Sequence, residues 1–493
     1  MAKKVIVTGS GFAGLSAASF MAKAGWQVTV LEKHSGPGGR ARQLKQDGFT
    51  FDMGPSWYWM PDVFERYFAQ FGKKVSDLYQ LQRLDPSYRV YWKDDFTDIP
   101  ADILLLKKFF EATEPGAAAQ LDKFLAEAAF KYRTGIEKLV FKPGQSYSEF
   151  IDKDFIKGIF KLDVFTSVKK HIHKFFKNAK LRQLLEFPVL FLGALPEHMP
   201  ALYSLMNYAD IVGGTWYPTG GMYSIVAGMY TTALDLGVQF EFEQNVQRLV
   251  IEDGKVRRVV TDKNEWLGDA VIVAADYHHA ETNWLLPQYQ SYDQGYWNKR
   301  IMAPSCLLYY VGLNKKLKNI QHHSLFFDTS FEKHAAEIYT DKKWPTDPMF
   351  YVSAVSVTDN TAAPEGCENL FLLIPVAAGL QADTEPLRDH YFNAIMSRME
   401  KHFGEPLKEH VIFRQSFSVS DFVNEYNSFK GNAYGLANTL FQTATLKPSC
   451  RSKKVKNLFY TGQLTVPGPG VPPSLISGEV VAGEVIKYFH SVQ

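Results

Sequence analysis

Three glycines near the amino terminus have the spacing of a phosphate-binding loop. Gly9, Gly11 and Gly14 directly follow the apolar run from Val5 to Val7. The first glycine permits a tight turn, the second lets the backbone approach a pyrophosphate, and the third lets a helix pack closely on the preceding strand. The small residues from Leu15 to Ala24 predict that helix, whose N-terminal N–H groups and dipole favour anions. The pattern predicts a dinucleotide site, with a purely structural glycine turn as the alternative.

An acidic residue and a second pair of glycines narrow the choice of dinucleotide. Glu32 ends the predicted strand from Val28 to Leu31, eighteen positions after Gly14, where a carboxylate accepts hydrogen bonds from an adenosine ribose and disfavours a 2′-phosphate. Gly38-Gly39-Arg40 lies just beyond Glu32, where flavoproteins run a second backbone segment along the diphosphate. Residues 9 to 40 therefore resemble the FAD-binding signature of the amine-oxidase and carotenoid-desaturase superfamily.

Length and composition exclude several other classes of protein. A chain of 493 residues is longer than a single hydrophobic core usually supports, so two or three interleaved domains are expected. A net charge of +2 argues against nucleic acid as a partner. Cys306, Cys367 and Cys450 are widely separated and have neither metal-ligand spacing nor the pattern of a disulfide framework. The first strand begins by Val5 and no run of about eighteen apolar residues exists, so we expect no signal peptide and no membrane-spanning helix.

The elements that must position the glycine loops come from distant parts of the chain. Strands predicted near 240–242, 246–251, 256–261 and 270–274 return the chain to the nucleotide domain. A last strand at 456–463 precedes a helix from Ser474 to Phe489. The FAD domain is therefore predicted to be discontinuous.

A second group of strands is predicted between these segments. Apolar stretches at 305–313, 349–357 and 369–378 predict a second sheet, with a helix from Pro386 to Phe403 over it. Such a sheet could form the floor of a substrate cavity.

Large aromatic residues cluster after the glycine loops. Trp57, Tyr58 and Trp59 are consecutive, so neither helix nor strand periodicity can bury all three on one face. Trp216 and Tyr217 precede another double glycine. We expect several of these side chains to line a cavity for a rigid polyene; packing between domains is the alternative.

The segment 150–193 combines basic and apolar residues with few acids. A basic, aromatic-bearing amphipathic helix can lie in the headgroup plane of a membrane, where each lysine contributes about 1 kcal/mol. The segment therefore predicts a peripheral, monotopic association with the cytoplasmic side of a membrane. A solvated charged face over an ordinary helical core is the alternative.

The motifs together resemble the bacterial CrtI-type carotenoid desaturases nearly from end to end. Beyond the motifs above, the resemblance rests on Phe51-Asp52-Met53-Gly54-Pro55, on Tyr217-Pro218 with Gly220-Gly221, and on Tyr460-Thr461-Gly462 with the run from Pro467 to Pro472. It implies non-covalent FAD, a hydrophobic tunnel, removal of two hydrogens from a carotenoid, and oxygen or a quinone as electron acceptor. The cofactor carries the chemistry in such enzymes, and we assign no catalytic side chain and no metal ligand.

The resemblance also assigns residues to the site. The predicted cofactor-binding residues are Gly9, Gly11, Phe12, Ala13, Gly14, Glu32, Lys33, Gly38, Gly39, Arg40, Gly54, Pro55, Ser56, Val246, Gly462, Gln463, Val471 and Pro472. The predicted substrate-lining residues are Trp57, Tyr58, Trp59, Trp216 and Tyr217.

Two departures from phytoene desaturases bear on the substrate. Residues 56–61 replace the usual Thr-Val-aliphatic stretch, and Val466 stands where a histidine is common. We therefore expect 3,4-desaturation of a 1-hydroxycarotenoid, with phytoene desaturation to neurosporene or lycopene as the alternative. A polar end group needs a hydrogen-bond partner, which Tyr58, Trp59 or His198 could supply. Another flavin oxidase, such as a protoporphyrinogen or amine oxidase, and a non-enzymatic lipid escort are further alternatives.

The predicted fold class is α/β: a Rossmann-like FAD-binding domain with an inserted mixed-sheet substrate domain and a helical membrane-associating region. The expected boundaries are 1–80, 218–300 and 441–493 for the FAD domain, 81–217 for the helical region and 301–440 for the substrate sheet.

Overall fold

The computed structural model describes residues 2–146, 149 and 165–491. Its strands, in chain order, are β1 Lys4–Thr8, β2 Gln27–Leu31, β3 Gln43–Gln46, β4 Phe49–Asp52, β5 Leu81–Arg83, β6 Tyr88–Tyr91, β7 Phe96–Ile99, β8 Trp216–Pro218, β9 Gln239–Glu241, β10 Val246–Glu252, β11 Lys255–Thr261, β12 Glu265–Leu267, β13 Ala270–Val273, β14 Ser305–Leu313, β15 His323–Phe326, β16 Phe350–Ser353, β17 Glu368–Val376, β18 Val411–Phe417 and β19 Leu458–Tyr460.

Helices connect and cover these strands. They are α1 Phe12–Lys23, α2 Pro61–Ala69, α3 Ile103–Thr113, α4 Ala117–Thr134, α5 Val168–Phe175, α6 Ala179–Glu186, α7 Leu205–Ile211, α8 Tyr223–Asp235, α9 Tyr277–His279, α10 Gln294–Asn298, α11 Phe331–Ala336, α12 Glu385–Phe403, α13 Val419–Tyr426 and α14 Val471–Ser491.

The first sheet is parallel and has the strand order β19-β13-β1-β2-β9. Its strands therefore come from three stretches of the chain that are far apart in sequence. Helices α1 and α14 pack against each other beside it. They approach closely because a Cβ at Gly478 would lie 2.4 Å from the carbonyl oxygen of Ala13. Glycine at position 478 of α14 is thus required for the two helices to approach this closely.

The second sheet is mixed and has the order β18-β14-β17-β16-β15-β6-β7. Alternate residues of β17 point to opposite faces, as in any strand. Leu370, Leu372 and Ile374 join a buried cluster with α12, whereas Phe371 joins the core cluster on the other side of the sheet. The sheet thus separates a helix-covered core from the interior that holds the cavity.

The structure differs from the predicted organisation in the helical region. The hairpin of β6 and β7 lies within 81–217 but extends the second sheet, because β6 pairs in parallel with β15. The sequence from Pro61 to Leu81 predicts a single helix, but α2 ends at Ala69. The amphipathic segment 150–193 lies partly outside the described residues, and its described part contains α5 and α6. The domain boundaries themselves remain a prediction.

Candidate active-site cavity

A cavity of about 490 Å³ runs from the first sheet to the second. One end lies at the carboxyl ends of the parallel strands, where Gly9, Glu32, Ala274 and Thr461 line it. Open α/β sheets bind ligands at this edge because the loops and helix N-termini meet there. The other end is lined mainly by apolar side chains. The two ends are built from different kinds of groups.

The first glycine loop forms one wall of the cofactor end. A Cβ at Gly14 would lie 2.0 Å from the carbonyl oxygen of Gly9, so close packing of α1 on the loop requires glycine there. A Cβ at Gly11 would meet only the Gly38 carbonyl oxygen, at 4.0 Å. Gly11 caps α1 without a side-chain hydrogen bond. The first N–H groups of α1 are thus available to a diphosphate.

The carboxylate of Glu32 is held at the end of β2. One oxygen accepts hydrogen bonds from the backbone N–H of Ser10 at 2.8 Å and from its hydroxyl at 2.7 Å. The other accepts from the backbone N–H of His34 at 3.0 Å. Glu32 is only 5% exposed yet lines the cavity. The remaining lone pairs of the carboxylate can accept hydrogen bonds from ribose hydroxyls. The three hydrogen bonds to the carboxylate fix the direction in which these lone pairs point.

A second loop crosses the first, as the sequence predicts. The Gly38 N–H donates to the Ser10 carbonyl at 2.9 Å, and a Cβ at Gly39 would lie 3.4 Å from the Cα of Gly11. Arg40 then brings a guanidinium to the site and donates to Ser428 Oγ at 3.0 Å. Burial lowers its pKa from the usual 12.5. A buried guanidinium beside two glycine loops is suited to a diphosphate.

The carboxy-terminal segment closes the cofactor end. The Gly462 N–H donates to Ser477 Oγ at 2.9 Å, which joins the residues after β19 to helix α14. Val471 and Pro472 begin α14 and line the cavity. Its N-terminus therefore points its dipole and N–H groups into the cavity, where they favour negative charge.

Every predicted cofactor-binding residue except Gly14 lines the cavity: Gly9, Gly11, Phe12, Ala13, Glu32, Lys33, Gly38, Gly39, Arg40, Gly54, Pro55, Ser56, Val246, Gly462, Gln463, Val471 and Pro472. Gly14 does not line the cavity; it allows α1 to pack closely against the first glycine loop. These residues fit FAD, because they form two crossed glycine loops, a ribose-facing acid and two helix N-termini around one elongated space.

Two predicted aromatic residues line the substrate end. The ring of Trp57 stacks on His323, with ring centroids 4.1 Å apart and planes 9° apart. The indole N–H of Trp59 donates to Thr215 Oγ1 at 2.9 Å, and that hydroxyl donates to Asp210 at 3.2 Å. Burial raises the pKa of Asp210 to about 7. Both indoles are held as rigid walls.

Three predicted substrate-lining residues, Tyr58, Trp216 and Tyr217, do not line this cavity. Tyr58 is directed away from the cavity, where its hydroxyl meets that of Tyr79 at 3.0 Å. Trp216 donates to the Gly213 carbonyl at 2.8 Å, and Tyr217 donates to Asp359 at 2.8 Å. His198, a candidate end-group partner, is exposed. In a strand-like run of aromatics, alternation sends Tyr58 to the opposite face from Trp57 and Trp59.

Sequence reasoning missed most of the substrate end. The apolar lining includes Phe187, Leu190, Leu192, Met206, Leu308, Leu325, Phe327, Ile338 and Leu373, and the polar lining includes Cys306, His334, Tyr339, Tyr351 and Tyr434. Residues from β14, β15, β16 and β17 were recognisable as strand-forming. Their pattern could not reveal which face meets the cavity, because the strands are apolar on both faces.

A buried polar group lies behind the cofactor end. Lys447 is 4% exposed, and within the described part of the chain its Nζ has no hydrogen-bond partner. Burial lowers its pKa to about 7. A Cβ at Gly468 would lie 3.0 Å from this nitrogen and 2.9 Å from Asn438 Oδ1, which also lacks a partner. The neighbouring Pro469 and Gly470 line the cavity.

The described ranges hold neither a cluster of metal ligands nor a membrane-spanning helix. Among residues 2–146, 149 and 165–491, no group of three or more His, Cys, Asp or Glu side chains could hold a metal ion. No helix in the same part of the chain has the length and hydrophobicity to cross a membrane.

Comparison with known proteins agrees with this geometry. The model of the family "Flavin containing amine oxidoreductase" matches residues 12–486. A carotenoid 3,4-desaturase of Haloarcula japonica is 39% identical over 487 residues, covering 98% of each chain. A zeta-carotene-forming phytoene desaturase of Myxococcus xanthus is 31% identical, covering 99% of this chain and 95% of the relative. An oxidoreductase structure from Methanosarcina mazei has a TM-score of 0.64 at 15% identity, covering 97% of this chain and 100% of the other.

The structural likeness shows the fold, and the sequence matches show the family and its cofactor. The fold is the mixed α/β fold of the amine-oxidase superfamily. The predicted cofactor, FAD, is confirmed by the family, and the crossed glycine loops that line the cavity remain its predicted site. The protein thus belongs to the flavin-containing amine oxidoreductase family and, within it, to the FAD-dependent carotenoid desaturases.

Proposed function

We propose that the protein introduces the 3,4 double bond of a 1-hydroxylated carotenoid. The observation that carries the proposal is an elongated, mainly apolar cavity that begins at the FAD loops, in a chain 39% identical over almost its whole length to a carotenoid 3,4-desaturase. Such a cavity suits a long hydrocarbon, which binds by burial of apolar surface at about 25 cal/mol per Å².

The residues of this chain place the substrate and exclude water. When bound, FAD supplies the two-electron oxidant. Trp57 and Trp59 hold the polyene beside the Gly54-Pro55 turn, which abuts the cofactor end because a Cβ at Gly54 would lie 2.5 Å from the Arg40 carbonyl oxygen. Proximity and orientation of this kind can supply much of the barrier reduction.

A hydroxylated end group has polar partners in the same cavity. Tyr434 lines it, with the Cys306 thiol 3.9 Å from its hydroxyl, and Tyr339 lies on the same wall. Burial raises the pKa of Cys306 to about 12, so the thiol is neutral. These groups replace Tyr58 and His198 as the candidates for binding the hydroxyl. They favour a hydroxycarotenoid over phytoene, which has no polar end.

The test is anaerobic mixing of the FAD-loaded protein with a 1-hydroxycarotenoid and, separately, with phytoene. We expect the hydroxycarotenoid to bleach the oxidised flavin absorbance and to yield a product absorbing at longer wavelength. Reduction by phytoene alone would support the phytoene desaturase alternative. Bleaching by neither carotenoid would refute desaturation of both substrates.

We also propose a peripheral position at the cytoplasmic face of a membrane. Phe165 is 84% and Phe441 is 78% exposed. They flank one region, because the Ala201 N–H donates to the Thr166 carbonyl at 2.7 Å and Tyr203 meets Thr443 at 3.2 Å. Nearby, the Asn438 N–H donates to the carbonyl of Leu192, a cavity-lining residue. Exposed aromatic side chains close to the cavity wall would bring that wall to the lipid surface, which suits a substrate dissolved in lipid.

Sedimentation with anionic liposomes at low salt tests this position. The variant carrying Lys169→Glu, Lys170→Glu and Lys174→Glu should remain in the supernatant. A control with Lys255→Glu, Lys454→Glu and Lys456→Glu, at exposed lysines outside the segment, should sediment like the unmodified protein. Equal recovery of both variants with the liposomes would contradict the proposal.

Oxygen or a membrane quinone is the proposed electron acceptor. The rates at which oxygen and a quinone reoxidise the reduced protein would distinguish them.

A further inference from the structure

A hydrogen-bonded chain of three side chains connects the cavity wall to a buried histidine. Ser56, Trp57 and Tyr351 line the cavity. The Tyr351 hydroxyl lies 3.0 Å from Ser56 Oγ and 2.7 Å from Nδ1 of His323, and rotation of its single hydrogen lets it donate to either atom. Ser56 follows the Gly54-Pro55 turn at the cofactor end. The Tyr351 hydroxyl therefore lies where the cofactor end meets the substrate end.

His323 is fully buried behind Tyr351. It is 0% exposed, and its Nε2 has no hydrogen-bond partner among the residues that the structure describes. Burial holds its pKa well below 6.5, so the imidazole is neutral at neutral pH. With the hydrogen on Nε2, the lone pair of Nδ1 faces the Tyr351 hydroxyl. The stacked ring of Trp57 offers its π face to any positive charge that forms on the imidazole.

The proposed desaturation needs a side chain that can accept a proton inside the cavity. Removing two hydrogens to form a C=C bond transfers one as hydride and the other as a proton. The hydride has an acceptor in oxidised FAD, whereas the proton needs a base inside an otherwise mainly apolar cavity.

We propose that Tyr351 is the catalytic residue that takes the proton from the carotenoid, and that His323 is the positioning residue that receives the Tyr351 proton in turn. This inference rests on the proposed function. One C–H bond of the substrate breaks with its electron pair, which leaves as hydride to the flavin. In the same step the adjacent C–H bond breaks, its electron pair becomes the new π bond, and its proton goes to Tyr351 Oη as the original Tyr351 proton passes to His323 Nδ1, so the rate of flavin reduction reports the proton transfer.

The proton transfer to His323 is energetically favourable although the imidazole is buried. A C–H bond next to an electron-deficient polyene carbon is far more acidic than an imidazolium, so even a weakly basic imidazole accepts the proton. The positive charge moves from the polyene to His323, against the Trp57 ring. Removing a general base of this kind costs typically about 10²–10⁴ in rate.

The neighbouring histidine provides a matched control. His322 is also buried, and burial lowers its pKa to about 3. It lies 2.7 Å from Thr358 Oγ1 and packs on the ring of Tyr217, neither of which lines the cavity. The two imidazole rings contact each other, with centroids 4.5 Å apart, but only His323 reaches the Tyr351 hydroxyl, so His322→Asn alters the packing around His323 without removing its hydrogen bond to Tyr351.

The experiment measures the anaerobic rate of flavin reduction at saturating carotenoid in Tyr351→Phe, His323→Asn and His322→Asn. Asparagine can keep a hydrogen bond to Tyr351 but cannot accept its proton. We expect reduction to slow about 100-fold or more in Tyr351→Phe and at least about 10-fold in His323→Asn. FAD content and carotenoid affinity should be unchanged, and His322→Asn should stay within about twofold of the unmodified protein. Deuterium at the carbon that loses the proton should give a larger isotope effect in Tyr351→Phe.

Reduction at the unmodified rate in Tyr351→Phe would overturn the proposal. So would equal slowing in His322→Asn and His323→Asn, because that result would indicate a general packing effect. If His323→Asn fails to retain FAD, the Tyr351→Phe result decides, because that change removes only one oxygen. If no carotenoid reduces the unmodified protein, the proposed function fails, which is distinct from failure of this proton path.

Discussion

The two ends of the cavity recognise their ligands with different chemical groups. The cofactor end uses backbone: the loop at Gly9 to Gly14, the crossing loop at Gly38 and Gly39, and the N-termini of two helices. The substrate end uses the faces of side chains such as Trp57 and Leu373, carried by strands distant in sequence. A diphosphate needs N–H groups at fixed positions, whereas a polyene needs only a rigid apolar shape. The first requirement leaves a local sequence signature, and the second does not.

The largest effect on stability is expected at Lys447, whose amine is buried behind the cofactor end. Burial lowers the Lys447 pKa from 10.5 to about 7. Between these pH values the unfolded chain binds a proton that the folded chain does not, so stability rises with pH. At pH 7 the folded protein carries nearly the whole penalty, about 4 kcal/mol at about 1.4 kcal/mol per pKa unit. Lys447→Met should raise the free energy of unfolding by that order and flatten its rise up to pH 10.

Urea unfolding of the FAD-loaded protein at pH 7, 8.5 and 10 measures this difference. The control is Lys456→Met, at an exposed lysine, which should leave the pH dependence unchanged. An unaltered rise of stability with pH in Lys447→Met would show that the lysine does not titrate in this window.

The second prediction compares Gly14, assigned to the packing of α1, with Gly11, predicted to contact the diphosphate of FAD. In Gly14→Ala the new Cβ meets the Gly9 carbonyl oxygen at 2.0 Å, so the loop must shift. We expect a loss of about 3 kcal/mol of stability together with the loss of FAD. In Gly11→Ala the nearest protein atom is 4.0 Å away. That variant should keep the stability of the FAD-free protein and lose about tenfold in FAD affinity.

Thermal unfolding of FAD-free protein and titration with FAD distinguish the two glycines. Equal stability of the two FAD-free variants would contradict the assignment of Gly14 to packing. Unchanged FAD affinity in Gly11→Ala would show that the diphosphate does not pass over this residue.

The smallest effect tests the substrate end. Trp59→Leu should raise KM for the carotenoid about tenfold and leave FAD content unchanged, because Trp59 lines only the hydrocarbon part of the cavity. Tyr58→Phe should leave KM unchanged and cost about 1 kcal/mol of stability, because it removes the hydrogen bond to Tyr79. Steady-state kinetics with the same carotenoid makes the comparison. A larger KM change in Tyr58→Phe than in Trp59→Leu would restore the sequence-based assignment of Tyr58.

The elements of the fold were predicted well where local pattern is decisive. The strand over Ser305–Leu313 was predicted with the bounds that the structure has, and the helix predicted from Pro386 to Phe403 begins one residue earlier. The pairing of β6 with β15 was not predicted, because no local signal records which distant strand completes a sheet. The helix expected to follow Pro61 as far as Leu81 was too long, since turns interrupt it after Ala69.

For this protein, the sequence by itself determined the cofactor end, because glycine spacing, an acid at Glu32 and helix N-termini act through backbone geometry set within a few residues. Only the tertiary structure decided the substrate end. Trp57 and Tyr58 are neighbours in the chain, yet one faces the cavity and the other does not. Tyr351 and His323 gain their proposed role solely because two strands bring them within 2.7 Å beside Ser56. Apolar strands carry no mark of the face they present, so side-chain direction is set by packing.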